Sequence, residues 1–356
     1  MKSGSIQNNG CGSTSVGKAA PWKQPPRRRG EGRTMGPGRK PSLAKRIRVA
    51  LEAPCTRLGL AVVPRLPRRA VLGLARVLGD AAYVVSARSR RLGMANLDLA
   101  FGETKTAAEK RRILRESLQN FSLTILDLLW FSRDSAARMK RWLAIAPSMR
   151  DAMANRVARV GVTGHFGNWE LGGRYWALCA GSTMSVAMPL KNPAVDAMLR
   201  QAREQTGQQI VEREGALKKL VRCLRAGGTI GLLLDQNTDP DEGGVFVEFF
   251  GKPVAVSPAA GILASMTGAE ILFACVLPRA DGTYLGEAPH VIPPSEIAAL
   301  DRKGAAQELT QRITNMYEEA IRARPECWLW SYKRWRHVPP GMPSAGFPYY
   351  ATPQGE

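Results

Sequence analysis

The chain has 356 residues, 44% of them hydrophobic, enough for a sizeable core in one large or two ordinary domains. Lys and Arg number 51 against 30 Asp and Glu, giving a net charge of +21, so the surface seeks anions: nucleic acid, acidic lipid headgroups, an acidic protein or a phosphate-bearing substrate. No run of about 18 apolar residues is present, which argues against a spanning helix, and the polar, Gly-rich start is unlike a secretory signal.

Residues 1–42 are rich in Gly, Pro, Ser and Arg, including Pro25-Pro26-Arg27-Arg28-Arg29, and read as a disordered basic arm. Over 43–102, Leu, Val and Ala interleave with Arg, as in Ala70-Val71-Leu72-Gly73-Leu74-Ala75-Arg76. Apolar faces with mainly basic charge predict amphipathic, membrane-associating helices. The competing reading is a pair of core helices with solvated arginines. Helical spacing over 106–131, with Ile113, Leu118, Phe121 and Ile125, then gives way to alternation. A strand is predicted over 157–162, a helix over 169–180, a strand over 184–188 and a helix over 195–205. A short strand around Ile210, a helix over 215–225, strands over 229–234 and 245–250 and a helix over 259–266 follow. Strands over 271–277 and 283–287 and a helix over 305–322 complete the series, before a C-terminal tail over 339–356. The expected fold class is α/β: a mixed, mainly parallel central sheet over 103–338, flanked by helices, with an N-terminal membrane-associating helical segment. Six scattered cysteines, with no C-x-x-C and no histidine at ligand spacing, read as reduced thiols of a cytoplasmic protein.

Chemistry concentrates in Gly164-His165-Phe166-Gly167-Asn168-Trp169-Glu170, between a predicted strand and a predicted helix, where α/β sheets present reactive groups. In one continuous helix, residues five apart would point about 140° away from each other. With His165 on the Gly-rich loop and Asn168 capping the helix, Glu170 falls in the first turn and reaches back to the imidazole. A carboxylate so placed fixes one ring nitrogen as donor and leaves the other to accept a proton: the base and orienter of a hydrolase triad, without its protein nucleophile. The plain alternative is a structural histidine beside a glutamate that complements the helix dipole. Asp239, Asp241 and Glu242 lack the spacing of a calcium loop and read as a solvated turn, so no metal site is expected. Trp328, Trp330, Tyr332 and Trp335 interleave with Lys333, Arg334 and Arg336; a stacking platform, an interfacial belt and a core strand with a basic edge all fit that pattern.

Several blocks together resemble the lipid A late acyltransferases, the lauroyl/myristoyl transferase family related to lysophospholipid acyltransferases. His165 to Arg174 resembles that family's H-x4-D/E core. Asn192-Pro193 with Arg203 and Gly207 looks like its N-P…R…G helix, and Leu234-Asp235-Gln236 like its D-Q strand end. Phe249-Phe250-Gly251-Lys252-Pro253 looks like its F-F-G-x-P turn, and residues 325–335 are similar to its P-x-x-W-x-W-x-x-x-R-W signature. The resemblance spans about residues 46–338. It implies an O-acyltransferase with His165 as general base, Glu170 as its orienter, and Arg203, Asp235, Asn168 and Arg174 on the substrate side. The implied donor is acyl-acyl carrier protein, or acyl-CoA, with no cofactor. The implied acceptor is a hydroxyl of a membrane glycolipid such as a lipid A precursor, with a mannosylated phosphoinositide or lysophospholipid as alternatives. Expected partners are the carrier protein and anionic lipid rather than nucleic acid, at the cytoplasmic face of the bacterial inner membrane. A non-catalytic membrane- or nucleic-acid-binding protein on the same fold is the reading of another class. Two departures stand out: Arg-punctuated segments replace the apolar anchor helix common in the family, and no F-P-E-G-T-R block of the glycerolipid branch is present.

Overall fold

The N-terminal helices are built to cover one another and the sheet. The computed structural model describes residues 43–354, with side chains from residue 52 onward, so the expected basic arm lies outside the described residues. Helix α1 (Leu43–Val62) leads to α2 (Arg68–Val85) and α3 (Ala87–Phe101). The last two meet with a bend of 91° at Ser86, whose hydroxyl accepts from the Ser89 N–H and caps α3. No single described helix is long and apolar enough to cross a membrane; α2 and α3 meet that test only jointly, across the bend. Val71, Ala75 and Gly79, one turn apart, form the buried stripe of α2. It packs on α4 (Ala107–Trp130), which Thr106 and Glu109 open with a reciprocal capping box.

Next come α5 (Ser135–Trp142), β1 (Leu143–Ile145), α6 (Pro147–Ala154), β2 (Arg159–Thr163), α7 (Trp169–Ala180), β3 (Thr183–Ala187), α8 (Pro193–Glu204) and β4 (Gln208–Glu212). They are followed by α9 (Ala216–Arg225), β5 (Thr229–Leu233), β6 (Val245–Phe249), β7 (Lys252–Val256), α10 (Ala259–Thr267), β8 (Glu270–Pro278), β9 (Tyr284–Ile292), α11 (Pro294–Ala298) and α12 (Ala305–Ala323). The order in the seven-stranded sheet is β1-β9-β8-β2-β5-β3-β4. Only β8 and β9 run antiparallel, so the chain forms the mixed, mainly parallel α/β sheet that the alternation predicts. Strand β8 is buried on both faces, and its alternating side chains enter different clusters. Ile271, Phe273, Cys275 and Leu277 join the core shared with α9, α10 and α12, whereas Leu272 and Val276 pack with residues of α7.

The predicted strand over 245–250 leaves the central sheet. It pairs as β6 with β7, an unpredicted strand, in a separate hairpin. Phe250 and Gly251 at its tip have φ of 51° and 70°, the sign a tight hairpin turn requires at both central positions. Phe250 holds this conformation because its N–H donates to Glu318 at 2.6 Å and its ring packs among Phe101, Phe249, Trp330 and Trp335. Trp328, Trp330 and Trp335 are buried, so the aromatic tail is core. Strand β10 (His337–Val338) pairs with β11 (Thr352–Pro353), and the Tyr350 hydroxyl donates to Asn96 of α3. Thus α1–α3 and the segment after residue 338, set apart in the sequence reading, share one compact unit with the sheet.

Candidate active site

Strands β2 and β5 are parallel neighbours with Thr163 opposite Leu233. The Leu234 N–H donates to the Thr163 carbonyl at 3.1 Å, prolonging the ladder past the strand ends. Two residues beyond each strand, the same register brings His165 beside Asp235. The imidazole Nδ1 lies 2.9 Å from Asp235 Oδ1, while Oδ2 accepts the His165 backbone N–H at 2.8 Å and the Trp328 indole N–H at 3.0 Å. Two glycines permit this closure. A Cβ on Gly164 would lie 2.8 Å from Asp235 Cγ, and Gly167 turns the chain with a φ of 60° where a Cβ would strike the Val276 carbonyl. The loop is held from outside: the Gly167 N–H donates to Cys327 O at 2.9 Å, and the Leu329 N–H donates to His165 O at 3.1 Å. Trp169 sets its ring at an angle to the imidazole, centroids 4.8 Å apart.

Burial works against charge on both members of the pair, but their mutual attraction prevails. Asp235 is held below the ordinary carboxylate range by His165 and Arg334. His165 is raised above the usual imidazole value by Asp235 and, at longer range, by Glu170. With Asp235 ionised, Nδ1 carries the proton in the neutral ring and Nε2 keeps its lone pair. Among the described residues Nε2 has no hydrogen-bond partner, and the histidine side chain is 21% exposed.

Glu170 lies in the first turn of α7, as expected, but it does not orient the imidazole. Its carboxylate receives the guanidinium fork of Arg203 from α8, at 2.9 and 2.7 Å. Asp235 already holds Nδ1, so Glu170 acts on the ring only through its charge. Asp235, expected on the substrate side, takes the orienting place. Asn168 caps α7 as anticipated, its Oδ1 accepting the Leu171 N–H at 2.9 Å, but its amide nitrogen donates to buried Asp127 at 3.3 Å. Both ends of that side chain are therefore committed inside the protein rather than to a substrate. Arg174 is likewise buried, donating to Phe131 O at 2.7 Å and Ser135 Oγ at 2.8 Å, where it satisfies the C-terminal end of α4. Burial lowers its pKa to about 10. The other histidines are elsewhere: His337 is buried against Gln354, and His290 faces Glu319 at 3.4 Å. Asp239 caps its own turn and Glu242 pairs with Arg213.

The arrangement is an imidazole held at Nδ1, with a guanidinium–carboxylate fork in the helix that follows it, and both lie within the family-like blocks. A model of the bacterial lipid A biosynthesis acyltransferase family matches residues 55–337. The chain belongs to this family. Among relatives, the lipid A biosynthesis palmitoleoyltransferase of Escherichia coli K12 is 27% identical over 287 residues, 79% of this chain and 89% of the relative. The lipid A biosynthesis acyltransferase of Shigella flexneri matches to the same extent. The lipid A biosynthesis lauroyltransferase of E. coli K12 is 26% identical over 297 residues, 81% of this chain and 94% of the relative. The family match thus encloses His165, Asp235, Glu170, Arg203 and Trp328 together, and acyl transfer is the activity class of this family member.

Proposed function

We infer that this acyltransferase moves a fatty acyl chain from a carrier thioester to a hydroxyl of a lipid A precursor, with His165 as general base and Asp235 as its orienter. The observation that carries the reading is the single tie of the imidazole: Nδ1 is held by an ionised carboxylate and Nε2 is left to accept. Nε2 takes the proton of the acceptor hydroxyl as its oxygen attacks the thioester carbonyl. The new C–O bond forms, the C–S bond breaks, and the imidazolium returns the proton to the leaving thiolate. Negative charge grows on the carbonyl oxygen during the attack. Arg203 uses Nε and Nη2 on Glu170, so Nη1 remains to meet that oxygen or a substrate phosphate.

The relatives' names supply the lipid A acceptor, and the family resemblance supplies acyl-acyl carrier protein as first donor and acyl-CoA as second. The basic surface suits both an acidic carrier and an anionic headgroup. Docking at the cytoplasmic face of the inner membrane is supported by apolar residues left outside: Val77, Val84 and Val85 of α2 are 65%, 70% and 82% exposed, and Leu58 of α1 is 64% exposed. Exposed Arg69, Arg76 and Arg88 accompany them, the composition of an interfacial surface.

The test is incubation of purified protein with labelled acyl carrier protein or acyl-CoA and a lipid extract containing lipid A precursors. Acylated lipid is expected from the wild type and none from His165→Ala with an unchanged circular dichroism spectrum. A folded His165→Ala protein that still acylates lipid removes the histidine from its role. Free fatty acid as sole product makes the protein a thioesterase, and neither product makes it a binding protein on this fold.

A further inference from the structure

At the Asn168 end of the 164–168 loop lies a second buried carboxylate. Asp127, in α4, accepts a two-pronged contact from Arg68 of α2, with the longer N–O distance 3.1 Å. It also accepts the Tyr284 hydroxyl of β9 and the Asn168 amide, the latter at 3.3 Å. Asp127, Asn168 and Tyr284 are each 1% exposed and Arg68 is 5% exposed. The guanidinium carbon sits 5.0 Å from the Trp130 ring centroid, with Phe131, Trp142 and Tyr284 also around it. Arg68 Nε donates to Gly282 O at 3.1 Å.

Asn168 occupies the joint between the loop that carries His165 and the helix that carries Glu170. Its backbone N–H donates to Val276 O at 2.7 Å, its Oδ1 caps α7, and its Nδ2 is steered by Asp127. An apolar cluster of similar volume would stabilise such an interior as well as, or better than, an ion pair. What a carboxylate adds is direction, because it accepts donors from three separate elements at fixed angles. We propose that Asp127 is a positioning residue for acyl transfer, acting through the Asn168 amide to hold the loop and the start of α7 in register, while Arg68 pins this arrangement to α2. The inference rests on His165 being the base.

Two variants separate positioning from folding. Asn168→Ser keeps an oxygen to cap α7 but loses the donor to Asp127. The double variant Arg68→Met/Asp127→Leu replaces the ion pair by apolar side chains that keep the interior filled. Steady-state kinetics with acyl thioester and lipid acceptor would be measured where near-ultraviolet circular dichroism shows each protein folded. In both variants kcat should fall by about a hundredfold with both KM values within about twofold of wild type, as for interactions that matter only in the transition state. A merely structural role gives wild-type kcat in whichever variant is folded, and that result in either one overturns the proposal. His165→Ala, assayed alongside, separates the failures. If it retains transfer, the base assignment itself is wrong; if it is inactive while the two variants match wild type, only the positioning role falls.

Discussion

Asp235 and Asp127 contact opposite ends of the same five-residue loop, at His165 and at Asn168, and both are buried, yet their surroundings drive them apart. Burial raises the Asp127 carboxyl above its ordinary range, and Arg68, Tyr284 and Asn168 only oppose that rise. At Asp235, burial pushes the same way but is outweighed by His165 and Arg334, and the carboxyl is lowered. The partner makes the larger difference. Arg68 keeps its proton at any working pH, so Asp127 sits in a sealed contact suited to holding geometry. His165 is a titratable group and is partly open to solvent, so Asp235 sits where a proton can move. Burial sets the cost of each anion, and the titrating partner decides what it can be used for.

Asp235→Asn should sharpen that contrast most. The new amide can donate to Nδ1 and moves the ring proton to Nε2, so kcat should fall by about ten-thousandfold, the scale of a base locked in the wrong tautomer. Asp127→Asn should, beside any loss of kcat, show itself in stability, a loss of about 3–5 kcal/mol in urea unfolding, because Arg68 is left buried without an anion; a loss below about 1 kcal/mol would break the ion-pair reading. Gly164→Ala places a methyl against Asp235 Cγ and should cost about a hundredfold in kcat by displacing the pair. The smallest effect is the pH profile. Because His165 is raised above the usual 6.5 and is proposed to act as the neutral base, kcat/KM should climb with pH along a limb centred above that value. That limb should move down in any Asp235→Asn protein active enough to titrate. The stability signs follow from the same shifts. The histidine's contribution is complete below 6.5 and fades as pH rises through its raised value. The aspartate's is complete above 3.8 and fades as pH falls through its lowered one. Unfolding curves that strengthen in either direction would contradict the pairing.

Local periodicity made most of the fold legible. The predicted helix over 169–180 and strand over 229–234 lie within a residue of α7 and β5, because both are bounded by glycine or asparagine and carry a clear burial period. The three-residue β1 was not legible, being too short for any period, and neither was the departure of β6 from the sheet, which depends on a turn whose first residue is a phenylalanine. At the site, the loop, the cap by Asn168 and the first-turn position of Glu170 could be read locally. The orienter could not. Glu170 is five residues from His165 and Asp235 is seventy, and only the side-by-side placement of β2 and β5 makes the distant residue the near one. One signal was present: His165 and Asp235 each stand two residues past a predicted apolar strand. The burial of Arg174 and Asn168 was likewise hidden, because it depends on where α4 ends and on a carboxylate in its last turn.

The Trp328 indole on Asp235 and the Cys327 carbonyl on Gly167 also bear on how the molecule is made. A growing chain exposes His165, and later Asp235, long before the residues that brace them leave the ribosome. Such long-range closure is slow compared with local helix formation. The His165–Asp235 pair is therefore braced only by residues made 93 positions after Asp235, so a product cut short before Trp328 carries the histidine but not the setting that the proposed base requires.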